Sequence, residues 1–307
     1  MSSQIQNLVA QAKLRLERAR ARYGYVDVVV RTFKRYSDDD GSSYAAALTY
    51  FTFLSVFPLL AFGLAALGYI TFGNRELQRE IFRAGVDAAP LFRDALTPEG
   101  LEIVENNRGR LAATGLLLAL YSGSGAIVAL EHGLNKVNHV VDEPNFVAKR
   151  VRSLRWLGVL GLAAACSVAI TATARFAGTI FETLGPVGEA ITTLLLHAGG
   201  IAVAAAVFAA AFKFLPGKTL TWPEVLPGAA VAAVLFEVLK LGGSLYLEAG
   251  SRGRQATFGA FATAAGLLVA SYLLCQIILL CAELNAVLAE RRTTRQSQVS
   301  VAQGGTA

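Results

Sequence analysis

Long apolar runs separated by short charged stretches dominate the chain. Tyr44–Ile70 carries no charge over 27 residues, and Leu111–Leu130 and Trp156–Ala174 are likewise uncharged. Ala190–Phe212 holds only His197, Thr257–Ala282 has no charged residue, and Val225–Leu247 is interrupted only by Glu237 and Lys240. As a helix, each run is long enough to cross a hydrocarbon layer about 30 Å thick. None alternates with the two-residue period of a barrel strand. The pattern predicts an all-α, polytopic membrane domain over 41–290, with spans near 44–70, 111–130, 156–180, 190–213, 225–247 and 257–283. Residues 71–110 are expected as an extracytoplasmic loop.

Composition agrees with that picture. Only 16% of residues are charged, against about a quarter in soluble domains, and the mean hydropathy is +0.49. Six crossings put both termini on one side. That side would carry eighteen Lys and Arg residues and the other eight, so both termini are expected in the cytoplasm of a bacterial inner membrane. No signal peptide is visible, because the first apolar run is too long and follows about 40 residues rich in charge.

The flanks have patterns of their own. In residues 1–40, Ile5, Leu8, Val9, Ala12 and Leu16 recur at helical spacing, with Lys13, Arg15, Arg18, Arg20 and Arg22 around them. Tyr23, Val26, Val30 and Phe33 extend the stripe to a break at "YSDDDG". Such a segment is either a helix on anionic lipid or an ordinary positive flank. No nucleic-acid-binding fold surrounds the charge. The polar tail at 291–307 is expected to be disordered.

Candidate chemistry is sparse. Ser124 lies between two glycines, yet "SGSGA" lacks both outer glycines of a nucleophile elbow and no strand precedes it. Small residues at Gly115, Ala119 and Gly123, and at Gly125, Ala129 and Gly133, recur every four positions, as in tightly packed membrane helices. Similar rows run through Gly161, Ala165 and Ala169 and through Ala198, Ala202, Ala206 and Ala210. Cys166, Cys275 and Cys281 read as apolar packing residues. The three histidines lack metal-site spacing, and no phosphate-binding loop appears. No catalytic residue, metal or cofactor is therefore expected.

The charges inside or beside the spans need an account. Glu237 and Lys240, three residues apart, can meet on one helix face. An ion at the bilayer centre costs at least ~2.5–3.5 kcal/mol, so the pair should face the bundle interior or a wet cavity. Such a pair serves either to fix helix rotation or to meet a headgroup or proton. Glu131 with Asn135, and Glu283 with Asn285, lie at span ends expected near the cytoplasm. They are either solvated ends or a polar mouth. His197 and Gln276 are lone polar residues expected to be satisfied by a neighbouring helix.

Four stretches carry a resemblance: "SSYAAALTYFTFLSVFPLL" at 42–60, "YSGSGAIVALEHGLNKV" at 121–137, "FKFLPGKTLTWPEVLPGAAVAAVLFEVLKLGGSLYL" at 212–247, and "ATFGAFATAAGLLVASYLLCQIILLCAELNAVL" at 256–288. In this order they resemble the YihY/BrkB family of bacterial inner-membrane proteins. The resemblance implies six membrane helices, agreeing with the independent count, and an association with virulence and envelope lipid transport. It brings no catalytic assignment, and the older ribonuclease label finds no nuclease residues here.

The combined expectation is a permease or lipid translocator and not an enzyme. Its polar cavity would use Glu131, Asn135, Glu237, Lys240, Glu283 and Asn285. Its partners would be membrane lipids, with a headgroup or small polar solute as cargo. The alternatives are a membrane-embedded enzyme of the ribonuclease or hydrolase kind, and a structural or assembly protein of the envelope.

Overall fold

The computed structural model describes residues 22–70, 98–141, 145–181, 185–258 and 260–304, together with Glu17 and Glu76. Those residues form seven helices and no strand: α1 (Gly24–Asp38), α2 (Gly41–Ile70), α3 (Pro98–Val137), α4 (Phe146–Phe181), α5 (Pro186–Phe214), α6 (Trp222–Phe258) and α7 (Ala260–Gly304). Among the described residues, four segments are long and apolar enough to cross a membrane by length and composition, Ala113–Val137, Ala190–Phe214, Trp222–Gly243 and Ala264–Thr294. The first and third expected spans fall within α2 and α4.

Packing follows chain order. Each helix from α2 to α7 packs on the next, and α7 closes on α2 as well as touching α3. α1 lies against α7 and, more lightly, α2. The buried core gathers Ala45 and Leu48 of α2, Leu134 and Val137 of α3, Phe212 and Leu215 of α5, Ala229 and Ala233 of α6, and Cys275 and Leu279 of α7. It sits at the end of the bundle where α5 turns into α6. Cys275 and Cys281 are buried there and Cys166 is exposed, all as free thiols.

The glycines of α3 explain why it touches several neighbours. A methyl at Gly115 would meet the Phe62 backbone of α2 at 3.1 Å, and one at Gly123 would meet Leu157 of α4 at 2.9 Å. One at Gly133 would meet Leu279 of α7 at 2.9 Å. Close approach of helix backbones lets dispersion hold the bundle where lipid removes the hydrophobic driving force. Ser124 is fully buried and donates to the Tyr121 carbonyl at 2.9 Å, as a packing residue does.

Two of the other small-residue rows behave differently. A methyl at Gly161 meets nothing within 4 Å, and Ala198, Ala202 and Ala206 are exposed on α5. Spacing alone finds a small-residue stripe but not the direction it faces.

Several boundaries also move. The loop expected through residue 110 is already helical from Pro98, α6 continues to Phe258, and α7 runs to Gly304 through the tail expected to be disordered. Once a helix is nucleated, each added residue costs little, so a long span propagates into its polar flank. In the tail, Thr293, Thr294 and Ser297 each donate to the carbonyl four residues back. The expected helix at residues 5–16 and most of the 71–97 loop lie outside the described residues. Tyr23, just before α1, and Phe33 are exposed and Val26 and Val30 are half-buried, whereas Asp27, Val28 and Thr32 are buried. The apolar stripe therefore lies at the edge of the docked face and not at its centre.

The break before α2 has a local cause. Asp40 adopts φ 54°, and Gly41 starts the next helix directly beneath the Tyr36 ring, where a methyl would come within 2.3 Å of ring carbon. Burial pushes the Tyr36 hydroxyl up to about 12, with Tyr272 and Cys275 nearby contributing in the same direction.

Candidate functional site: buried charges among the helices

Glu237 is buried on α6, facing α5. Its Oε2 lies 2.5 Å from Lys240 Nζ one turn on. Its Oε1 lies 2.7 Å from His197 Nδ1 of α5. A carboxylate only accepts, so Nδ1 carries the ring proton there and Nε2 points away. Gly200 of α5 leaves room for the pair: a methyl there would stand 3.6 Å from Lys240 Nζ and 3.7 Å from Glu237 Oε2. The Glu237 side chain is 9% exposed, Lys240 19% and His197 42%, so the site is sealed at the carboxylate and open at the imidazole.

The other four expected residues form separate contacts around the α5–α6 turn. Glu131, 1% exposed, accepts from Arg152 Nη1 of α4 at 3.1 Å, and the same nitrogen donates to the Leu215 carbonyl at 3.2 Å. Asn135 accepts from the Gly217 N–H at 2.8 Å. These two residues tie the "FLPGK" turn to α3 and α4. Lys213 closes the turn from within, donating to the Leu220 carbonyl at 2.7 Å with its ammonium 4.9 Å from the Trp222 ring centre.

Asn285 repairs α6. Pro227 has no N–H, so the Pro223 carbonyl loses its usual partner four residues ahead. Arg292 of α7 donates to that carbonyl at 2.6 Å. Next to the proline, the Gly228 N–H donates to Asn285 Oδ1 at 2.7 Å, and Asn285 Nδ2 donates to the Val225 carbonyl at 3.1 Å. A methyl at Gly228 would lie 2.3 Å from the Cys281 carbonyl oxygen. The "LPGA" stretch is therefore a seam where α7 approaches α6 closely and replaces its missing hydrogen bonds.

Glu283 lies at the foot of α1. Arg35 Nε is 2.9 Å from its Oε2, and Arg35 also ion-pairs with Glu290. The same guanidinium donates to the Val137 carbonyl at 3.0 Å and to His139 Nε2 at 2.9 Å, which fixes His139 as an acceptor at that nitrogen. Further along, Arg291 pairs with Asp27 and donates to the Gly24 carbonyl at 2.9 Å. Contacts from 35 to 283 and from 27 to 291 mean that α1 runs antiparallel beside the end of α7.

The six expected residues are thus distributed and do not share one lining. A cleft of about 930 Å3 at the ends of α1, α3 and α7 and the α5–α6 turn includes Asn285 but none of the other five. Sequence reasoning missed Arg35 and Arg152 as partners; it expected His197 to be satisfied by a neighbouring helix, as it is by Glu237, without naming that residue. The readable signal was a lone titratable residue in the span adjacent to a charged one; the two arginines were legible only as topological charge. Among the described residues, no group of three His, Cys, Asp or Glu is placed to hold a metal ion.

The profile for virulence factor BrkB matches residues 32–305. The chain belongs to the BrkB family. This family member is 26% identical over 265 residues to the Bacillus subtilis protein YfkH, whose name carries a ribonuclease-like label, covering 85% of this chain and 94% of that one. It is 26% identical to a UPF0761 membrane protein of Rhodospirillum centenum, covering 89% of this chain and 60% of that one. To the Escherichia coli inner membrane protein YhjD it is 25% identical, covering 83% and 78% respectively. The chain thus spans well under the full length of the Rhodospirillum relative. No solved structure matches. Family and apolar helices together identify an integral membrane protein.

Proposed function

We propose that this BrkB family member is a six-span inner-membrane translocator, with no catalytic reaction of its own and both termini in the cytoplasm. A phospholipid headgroup or small polar solute would pass along the site formed by His197, Glu237 and Lys240. One observation carries the reading: a buried carboxylate within an apolar span, held by a cation on its own helix and by a half-exposed imidazole on the next. Three polar groups at membrane depth are costly unless they line a path or pair with one another. A purely structural pair needs no imidazole open to its surroundings. His197 supplies a nitrogen for a polar cargo, and Glu237 and Lys240 supply both signs of charge for a zwitterionic headgroup. Glu131, Asn135, Glu283 and Asn285 hold the helices that frame this site.

The orientation rests on the excess of basic residues flanking the termini side. The function is tested by transbilayer movement of labelled phospholipid in proteoliposomes, comparing wild type with Glu237→Gln/Lys240→Met. The double substitution removes both charges together, so neither is left unpaired. The expected result is protein-dependent movement in wild type and its loss in the variant. Movement that is absent in wild type, or unchanged in the variant, overturns phospholipid passage through this site.

A further inference from the structure

The cleft of about 930 Å3 away from the mid-span charges has an unbalanced lining. Arg35 is already answered there by Glu283 and Glu290. The remaining cations fall into two couples, of which only the first shares a carboxylate. Arg31 and Arg291 both pair with Asp27, Arg31 at 2.9 Å. Lys218 and Arg292 line the cleft together with Glu224, whose Oε2 is occupied by the Thr221 N–H at 2.6 Å and hydroxyl at 2.7 Å. All four cations line the same cleft. Lys218 and Arg292 make no ion pair within 4.0 Å among the described residues.

The lining itself therefore carries five cations against two carboxylates, Glu224 and Glu290, in a concavity of ligand-sized volume. The complementary group is compact, doubly negative and rich in acceptors, which describes a phosphate monoester better than a carboxylate. Val137, Leu220, Ala286 and Ala289 add apolar wall beside the charges, suited to the stem of an ester.

We propose that this cleft is a binding site for a phosphate dianion, held between the Arg31/Arg291 and Lys218/Arg292 couples. The same chemistry is offered by inorganic phosphate and by the headgroup of phosphatidic acid. The inference does not depend on translocation, because it uses none of the mid-span residues.

The test uses the full chain in nanodiscs. Binding of inorganic phosphate is followed by calorimetry in phosphatidylcholine discs. Retention of phosphatidic acid over phosphatidylcholine is followed by native mass spectrometry. Lys218→Glu is the discriminating variant, since Lys218 makes no hydrogen bond that the fold requires among the described residues. Arg31→Gln, on an exposed part of α1, is the second. A free-phosphate site gives saturable phosphate binding that Lys218→Glu weakens at least tenfold and Arg31→Gln several-fold. A lipid site gives preferential retention of phosphatidic acid, lost in the same variants, with no saturable phosphate binding. Both signals should fall with added salt. The proposal is overturned if neither ligand binds, or if binding is unchanged in the two variants while circular dichroism shows both folded.

Discussion

Gly228 shows how a single hydrogen atom can be a structural requirement. Its Cα faces the Cys281 carbonyl and the Asn285 amide, and a methyl would overlap both, at 2.3 and 2.6 Å. Neither neighbour can retreat easily, because the carbonyl belongs to a helix and the amide is fixed by two hydrogen bonds to α6. Gly228→Ala is expected to lower stability by about 1–3 kcal/mol through overpacking, with more lost if Asn285 is displaced. Gly161→Ala is the control, since a methyl there meets nothing, and it should be neutral or slightly stabilising through helix propensity. Thermal unfolding of the two variants in detergent, read by circular dichroism, checks the contrast.

At the scale of elements, α1 is held to α7 by charge as well as by apolar contact. Arg35 stands over Glu283, which is 1% exposed, and contacts Val137 of α3 and His139 just beyond it at the same time. Removing one partner of a buried pair leaves the other charged and poorly solvated, a loss of about 3–5 kcal/mol. Arg35→Met should therefore destabilise strongly, and Arg35→Met/Glu283→Gln should recover much of that loss. A denaturation series on the single and double variants measures the coupling. Equal loss in both would mean that the Glu290 and Val137 contacts matter more than Glu283. The antiparallel course of α1 beside α7 also determines what its exposed Tyr25, Val29 and Phe33 can reach, because those side chains point away from the docked face.

On the scale of the whole molecule, six helices pack in chain order and the last returns to the first of them. This arrangement lets α7 meet both α1 and α6 with one run of residues, 283–292. The proposed topology puts that run and both termini in the cytoplasm. Single cysteines placed near each terminus, in a chain whose three native cysteines are replaced, should react with an impermeant maleimide only after the inner membrane is opened. Labelling of either terminus in intact spheroplasts would require an odd number of crossings or the reverse orientation.

The sequence by itself determined the all-helical membrane class, because an apolar run of some 20 residues has few other ways to satisfy its backbone in lipid. It also determined family membership and the Glu237–Lys240 pairing, since residues three apart on a helix share a face whatever surrounds them. Helix ends were less legible: α3 starts at Pro98 and α7 continues to Gly304, because a helix propagates past the hydrocarbon boundary that composition marks. The contacts of Arg35, Arg152 and His197 were decided only by tertiary structure. Each partner lies on another helix, and charge periodicity along one chain carries no information about how its neighbour is rotated. The same rotation turned Gly133 toward α7 and left Ala198, Ala202 and Ala206 facing outward, although both rows have the same spacing.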